Sequence, residues 1–150
     1  MTTIRKSLPA DAPTIAEFNI ALAAETENKK LDPEIILPGV RALIENEQLG
    51  FYLVAEDADR VVGMLMVTNE WSDWRNGMFW WVQSVYVHPD YRRQGIYRSL
   101  YQTVQELSAE HAVCGFRLYV EQENIAAQKT YQKLGMTRTP YQMFEQARES

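Results

Sequence analysis

Phe79-Trp80-Trp81-Val82-Gln83-Ser84-Val85-Tyr86-Val87-His88-Pro89-Asp90-Tyr91-Arg92-Arg93-Gln94-Gly95-Ile96-Tyr97 is the stretch on which the fold turns. Its first nine residues are almost continuously apolar or aromatic, the pattern of a strand covered on both faces, and they predict the middle of a sheet. His88-Pro89-Asp90 breaks that strand. After Gly95, the residues Ile96, Leu100, Val104 and Leu107 recur at spacings of 4, 4 and 3, which predicts a helix with one buried stripe. A strand, a short basic loop and a helix therefore follow one another without a gap.

Working outward, Thr2–Leu8 alternates as a strand, and Pro9-Ala10-Asp11-Ala12-Pro13 opens a helix carrying Ile15, Phe18 and Leu22. Asp32-Pro33-Glu34 starts a second helix whose buried face is Ile36, Val40, Leu43 and Ile44, with Pro38-Gly39 expected to bend or delay it. Phe51–Glu56 and Arg60–Thr68 read as an antiparallel hairpin across Asp57-Ala58-Asp59, and Gly63 marks a bulge or a close backbone approach. Downstream, Phe116–Val120 reads as a strand, Ile125–Leu134 as a helix and Tyr141–Phe144 as a last extended segment. The order βααβββαβαβ predicts one α/β or α+β domain with a single sheet over residues 1–150.

Composition narrows the function. At 150 residues, 46% hydrophobic and 23% charged, the chain is of ordinary globular make-up, and a net charge of −5 lacks the basic footprint of a nucleic-acid binder. No apolar stretch approaches a membrane span, and the single Cys114 can form neither an intrachain disulfide nor a thiolate metal cluster, which fits a cytoplasmic protein. His88 and His111 have no partner at metal-ligand spacing, so no metal site is expected.

The loop carries the chemistry. A helix start presents unpaired N–H groups and partial positive charge, Gly95 admits close approach of an anion, and Arg92, Arg93 and Arg98 cluster there in an otherwise acidic chain. Neither a nucleoside-triphosphate loop nor a Gly-x-Gly-x-x-Gly fingerprint is present. Val87-His88-Pro89-Asp90-Tyr91-Arg92-Arg93-Gln94-Gly95-Ile96-Tyr97 resembles the hallmark of the GNAT superfamily of acyl-CoA-dependent N-acyltransferases, departing from it at Tyr97, where a small residue is usual. Asn124, Ala127, Tyr131 and Leu134-Gly135-Met136 resemble the second motif of the same family, with Met136 in place of the common Phe.

That resemblance implies a mixed, mostly antiparallel sheet flanked by helices, with the strands at 79–87 and 116–120 splayed apart. It implies acetyl-CoA as co-substrate, held by the main chain of Val85, Tyr86 and Val87, by the Arg92–Arg98 loop (Arg92, Arg93, Gln94, Gly95, Ile96, Tyr97, Arg98) and by Asn124, Ala127 and Tyr131. Tyr131 would assist the departing thiolate, and the partner would be a small-molecule or peptide amine, with a homodimer compatible. Many relatives carry a carboxylate near the position of Gln83, which cannot accept a proton. Glu25, then Glu27, at the end of the first helix are the expected alternatives, with Glu70 behind them. Trp71, Trp74, Trp80 and Trp81 offer an aromatic wall, of which two are expected to be packing. Two other readings stay open: a non-catalytic acyl-CoA-binding module, and an interaction domain that binds no nucleotide.

Overall fold

A computed structural model describes residues 2–148, which form two compact units that divide between Tyr119 and Val120. The first unit is a five-stranded sheet in the order β1-β2-β3-β4-β5. Its strands are β1 (Thr3–Lys6), β2 (Gly50–Asp57), β3 (Arg60–Ser72), β4 (Gly77–Val87) and β5 (Val113–Arg117), and its helices α1 (Ala12–Glu27), α2 (Pro33–Glu45) and α3 (Ile96–Ser108). All neighbours are antiparallel except β4 and β5. The second unit holds α4 (Ile125–Lys133). Among the described residues no helix is long and apolar enough to cross a membrane.

Local chemistry accounts for the elements. The β2–β3 connection is a two-residue turn with Ala58 and Asp59 both at positive φ (49° and 64°), the geometry that matches strand twist. Asp32 caps α2 by accepting from the Glu34 N–H at 2.9 Å. That helix runs through Pro38 without a break, since burial of Val40 and Leu43 outweighs one lost backbone hydrogen bond. Gly63 lies beside the irregularity between Ala55 and Glu56, and a Cβ there would stand 3.3 Å from Ile96 Cγ2, so the close approach is real.

Strand alternation divides the core. Tyr52, Val54, Met64 and Tyr86 pack with Ala12, Ile15 and Phe18 of α1 and with Val40 and Leu43 of α2. The alternate residues Leu53, Leu65 and Val67 are fully buried on the opposite face, as are Leu100 and Val104 of α3.

Three expectations are corrected. β4 is interior but is not the middle strand, which is β3; within its apolar run Phe79, Trp80, Val82 and Tyr86 are buried and the other positions half-buried. The strand expected at 116–120 is instead Val113–Arg117, because its ladder to β4 begins at Met78–Val113 and ends at Trp81–Arg117, and 118–120 have no rung. Tyr141–Phe144 forms no strand, and its Tyr141, Met143 and Phe144 side chains are exposed: alternation without a hydrogen-bonding neighbour does not make a strand.

One polar knot fastens β1 to its surroundings. Arg5 donates to both Asp11 oxygens (2.8 and 3.1 Å) and to Glu56 (3.0 Å), while Asp11 also accepts from the Leu8 N–H at 2.7 Å. Burial works to raise the Asp11 carboxyl, but the hydrogen bonds from Arg5 and Leu8 outweigh it and hold the group below its ordinary value. A carboxyl depressed in the folded state stabilises above the unfolded value of ~3.9 and stops doing so as pH falls through the folded value. Asp11→Asn should therefore cost about 1–3 kcal/mol at neutral pH in denaturant titrations, and the gap to wild type should narrow below about pH 4. A gap independent of pH would contradict the assignment.

Candidate active site

The site is built around an irregularity in β4. Met64 pairs with Tyr86 and Met66 with Gln83, so β4 carries one residue more than β3 between these rungs, and Ser84 takes a left-handed φ of 51°. Gln83 and Tyr86 are three apart and would point to opposite faces of a regular strand. The extra residue returns them to the same face, the one covered further along by α1. On the other side of β4, the rungs to β5 stop at Trp81–Arg117, and the bulged segment lies beyond that last rung, where the strands part.

At the Val87 end, Glu25 near the C-terminus of α1 accepts from the Tyr86 hydroxyl at 3.2 Å and from Arg92 Nη2 at 2.9 Å. Arg92 also donates through Nε to the Val87 carbonyl at 2.8 Å and lies 5.3 Å from the centre of the Tyr86 ring. Its guanidinium thus ties the basic loop to strand and helix at once. Burial, and then the Glu25 charge, push the Tyr86 phenol up, so it remains a hydrogen-bond donor. Glu27, the other candidate on α1, is exposed and pairs with Lys29 at 3.4 Å, apart from this cluster.

The loop turns into α3 through Arg93 and Gly95, both left-handed (φ 65° and 78°). A Cβ on Gly95 would meet nothing within 4 Å, so the backbone there faces open space. The first helical bond runs from Ser99 N–H to Gly95 O at 3.0 Å, so α3 begins directly at the left-handed turn with its first-turn N–H groups facing the loop. Such a turn fits an anionic group such as the pyrophosphate of a CoA ester. The ring of Tyr97 stacks along α3 on Tyr101 (6.4 Å, 25°), which in turn meets Phe116 of β5 edge-on.

At the other end of the same face, Glu70 of β3 accepts at Oε1 from Arg117 (2.7 Å) and from Trp81 Nε1 (3.2 Å). Gln83 donates to Thr68 Oγ1 at 2.7 Å and accepts from the Tyr119 hydroxyl at 3.4 Å, bridging the parted strands. Of the four tryptophans, Trp80 is buried in the core, Trp81 lines this face, and Trp71 and Trp74 are exposed. In the second unit, Asn124 caps α4 by accepting from the Ala127 N–H at 3.2 Å, and burial raises the half-buried Tyr131 phenol above its ordinary value. Among the described residues no three His, Cys, Asp or Glu side chains gather to hold a metal ion.

The sequence model of the acetyltransferase (GNAT) family matches residues 15–136. The chain belongs to this GNAT family. Its whole length superposes on a possible acetyltransferase from Clostridium difficile 630 with a TM-score of 0.94 and 44% identity, covering 100% of this chain and 99% of that one. A ribosomal-protein-alanine N-acetyltransferase from Brucella melitensis biovar Abortus 2308 shares the GNAT fold at TM-score 0.79 and 17% identity, over 99% and 100% of the chains. So does a predicted acetyltransferase with acetyl-CoA from Clostridium acetobutylicum, at TM-score 0.80 and 15% identity over 97% and 96%. A comparison with curated protein sequences finds no match. The mixed sheet and flanking helices are those the family resemblance implied.

Sequence reasoning did not single out the Arg92–Glu25–Tyr86 cluster or the Glu70–Arg117 pair, because their members are 61, 67 and 47 residues apart and no local spacing links them. The geometry at Gly95 has a direct test. With no atom for a side chain to strike, substitution costs only the left-handed backbone, so Gly95→Ala should lose about 1–2 kcal/mol and Gly95→Asn less, read from denaturant midpoints. Equal stability of all three proteins would show that the turn is not held left-handed.

Proposed function

We propose that the protein is a cytoplasmic N-acetyltransferase that moves the acetyl group of acetyl-CoA to an amine by direct attack within a ternary complex. The observation that carries this reading is the left-handed Gly95 turn into α3, placed directly after a bulged strand whose neighbour has departed, in a chain of the GNAT family. Acetyl-CoA supplies the thioester carbonyl. The Arg92–Arg98 loop receives the pyrophosphate, mainly through its backbone, with main-chain groups of Val85, Tyr86 and Val87 along the pantetheine arm. Asn124 and Ala127 contribute at the start of α4, as the family motif implies.

In the reaction the amine nitrogen forms the C–N bond as the C–S bond breaks. A protonated amine loses one proton before attack and a second after it, and one proton ends on the CoA sulfur. Glu25 is assigned to the amine, since Arg92 and Tyr86 hold its carboxylate in place, whereas Glu27 faces Lys29. Tyr131 is assigned to the leaving thiolate. Its raised phenol stays protonated across the working range, as a proton or hydrogen-bond donor must. Arg92 positions Glu25 through Nη2 and the Val87 carbonyl through Nε, and its remaining N–H donors are left for the CoA phosphates that the family resemblance gives this loop.

Calorimetry with CoA tests the donor half. Gly95→Val should weaken CoA binding about tenfold or more, and Arg93→Ala about threefold or less, because one obstructs the backbone and the other removes an exposed charge. Equal, small effects would remove the cradle from the account. With an amine that releases thiol, Tyr131→Phe should lower turnover about 10–1000-fold at nearly unchanged acetyl-CoA affinity. Glu25→Gln should either abolish a limb of the pH–rate profile, as a base would, or raise the amine KM alone, as an orienting carboxylate would. Wild-type values for both would exclude Glu25.

A further inference from the structure

The Glu70–Arg117 pair has capacity that the fold does not use. Both hydrogen bonds to Glu70 fall on Oε1, and among the described residues Oε2 accepts none. Arg117 donates to Glu70 through Nη1 alone, although a guanidinium carries five N–H donors. Its Cζ lies 3.7 Å from the centre of the Phe79 ring, so the group is held from one side by an aromatic face while part of it stays open to solvent. Both side chains are about two-fifths exposed, and an ion pair so exposed contributes little to stability.

The pair's place on the strand says which part of an acceptor it meets. Glu70 and Arg117 converge on Trp81, and the bulged Ser84 lies three residues further along β4, roughly 10 Å at the usual strand rise. Because of the bulge, Trp81, Gln83 and Tyr86 share one face, so a continuous surface runs from the pair to Glu25. Between the two ends that surface is uncharged: Trp81 and Tyr119, with ring centres 6.1 Å apart, and the Gln83 amide engaged with Thr68 and Tyr119. The surface thus offers one carboxylate near the reacting end, an aromatic and amide stretch that suits methylene groups, and a carboxylate beside a guanidinium at the far end.

A far end bearing only a carboxylate would leave Glu70 displaced, and one bearing only an ammonium would leave Arg117 displaced. A group carrying both satisfies both partners. We infer that the acceptor is a diamino acid whose α-amino acid head exchanges into the Glu70–Arg117 pair, carboxylate on Arg117 and ammonium on Glu70, while its side-chain amine reaches the thioester. This rests on the acetyltransferase reading above. The side-chain nitrogen forms the new C–N bond as the C–S bond breaks, and the α-amino group stays unmodified.

The test compares L-lysine with cadaverine, its decarboxylated counterpart, in acetyl-CoA thiol release. The wild-type kcat/KM for lysine should exceed that for cadaverine about 10–100-fold, as expected for charge-assisted hydrogen bonds present in one substrate only. NMR of the product should show acetylation at Nε. Arg117→Gln should raise the KM for lysine about 10–100-fold and lower that for cadaverine, whose second ammonium no longer competes with Arg117 for Glu70, opposite shifts that a merely structural role of Arg117 would not produce. Equal use of the two amines, acetylation at the α nitrogen, or an equal shift of both substrates in the variant would overturn the inference. If neither is acetylated while benzylamine releases thiol, the inference fails and the acetyltransferase reading stands. If CoA gives no binding heat and no amine releases thiol, both fail.

Discussion

One surplus residue in β4 governs the arrangement of the whole site. Ser84 absorbs it in a left-handed conformation, and from that point every side chain of the strand changes face relative to a regular ladder. Without it, Tyr86 would turn away from α1 and could not reach Glu25. The same segment lies past the last rung to β5, so its outward N–H and C=O groups are not consumed by that neighbour. A bulge thus supplies a phase change that gathers side chains, in a stretch of main chain that has no strand neighbour on its β5 side.

Arginine 92 shows how an acidic protein can carry a basic loop without devoting every charge to an anion. Its guanidinium faces a carbonyl, a carboxylate and an aromatic ring, and so fixes the loop against β4 and α1. In the proposed function, anion recognition falls mainly to main-chain N–H groups at the start of α3, whose direction is set by the backbone and not by flexible side chains. Tyr97, unusual for its position, sends its ring along α3 onto Tyr101. The departure from the family pattern therefore need not close the loop.

The parts of the fold that were legible in the sequence are those set by local rules. Asp32-Pro33 marked a helix start, the apolar recurrence after Gly95 marked α3, and the turn at Ala58-Asp59 marked a hairpin. What sequence could not supply was pairing. Residues 118–120 and 141–144 carry strand-like alternation, yet alternation describes faces and not hydrogen-bonding neighbours, and no ladder runs through either. The same limit hid the site: Glu25 could be placed near the end of a helix, but its contact with Tyr86 and Arg92 depends on a bulge that nothing in Gln83-Ser84-Val85 announces.

The central claim is that the bulged strand and the Gly95 turn together receive the acyl donor. Titrating 15N-labelled protein with acetyl-CoA and following amide shifts tests this residue by residue. The account predicts that the largest changes fall on the amides of 84–87 and 93–98, with lesser ones on 116–119. Shifts confined to the open cleft lined by Phe51, Trp71, Trp80 and His111, with 84–87 and 93–98 unmoved, would contradict it.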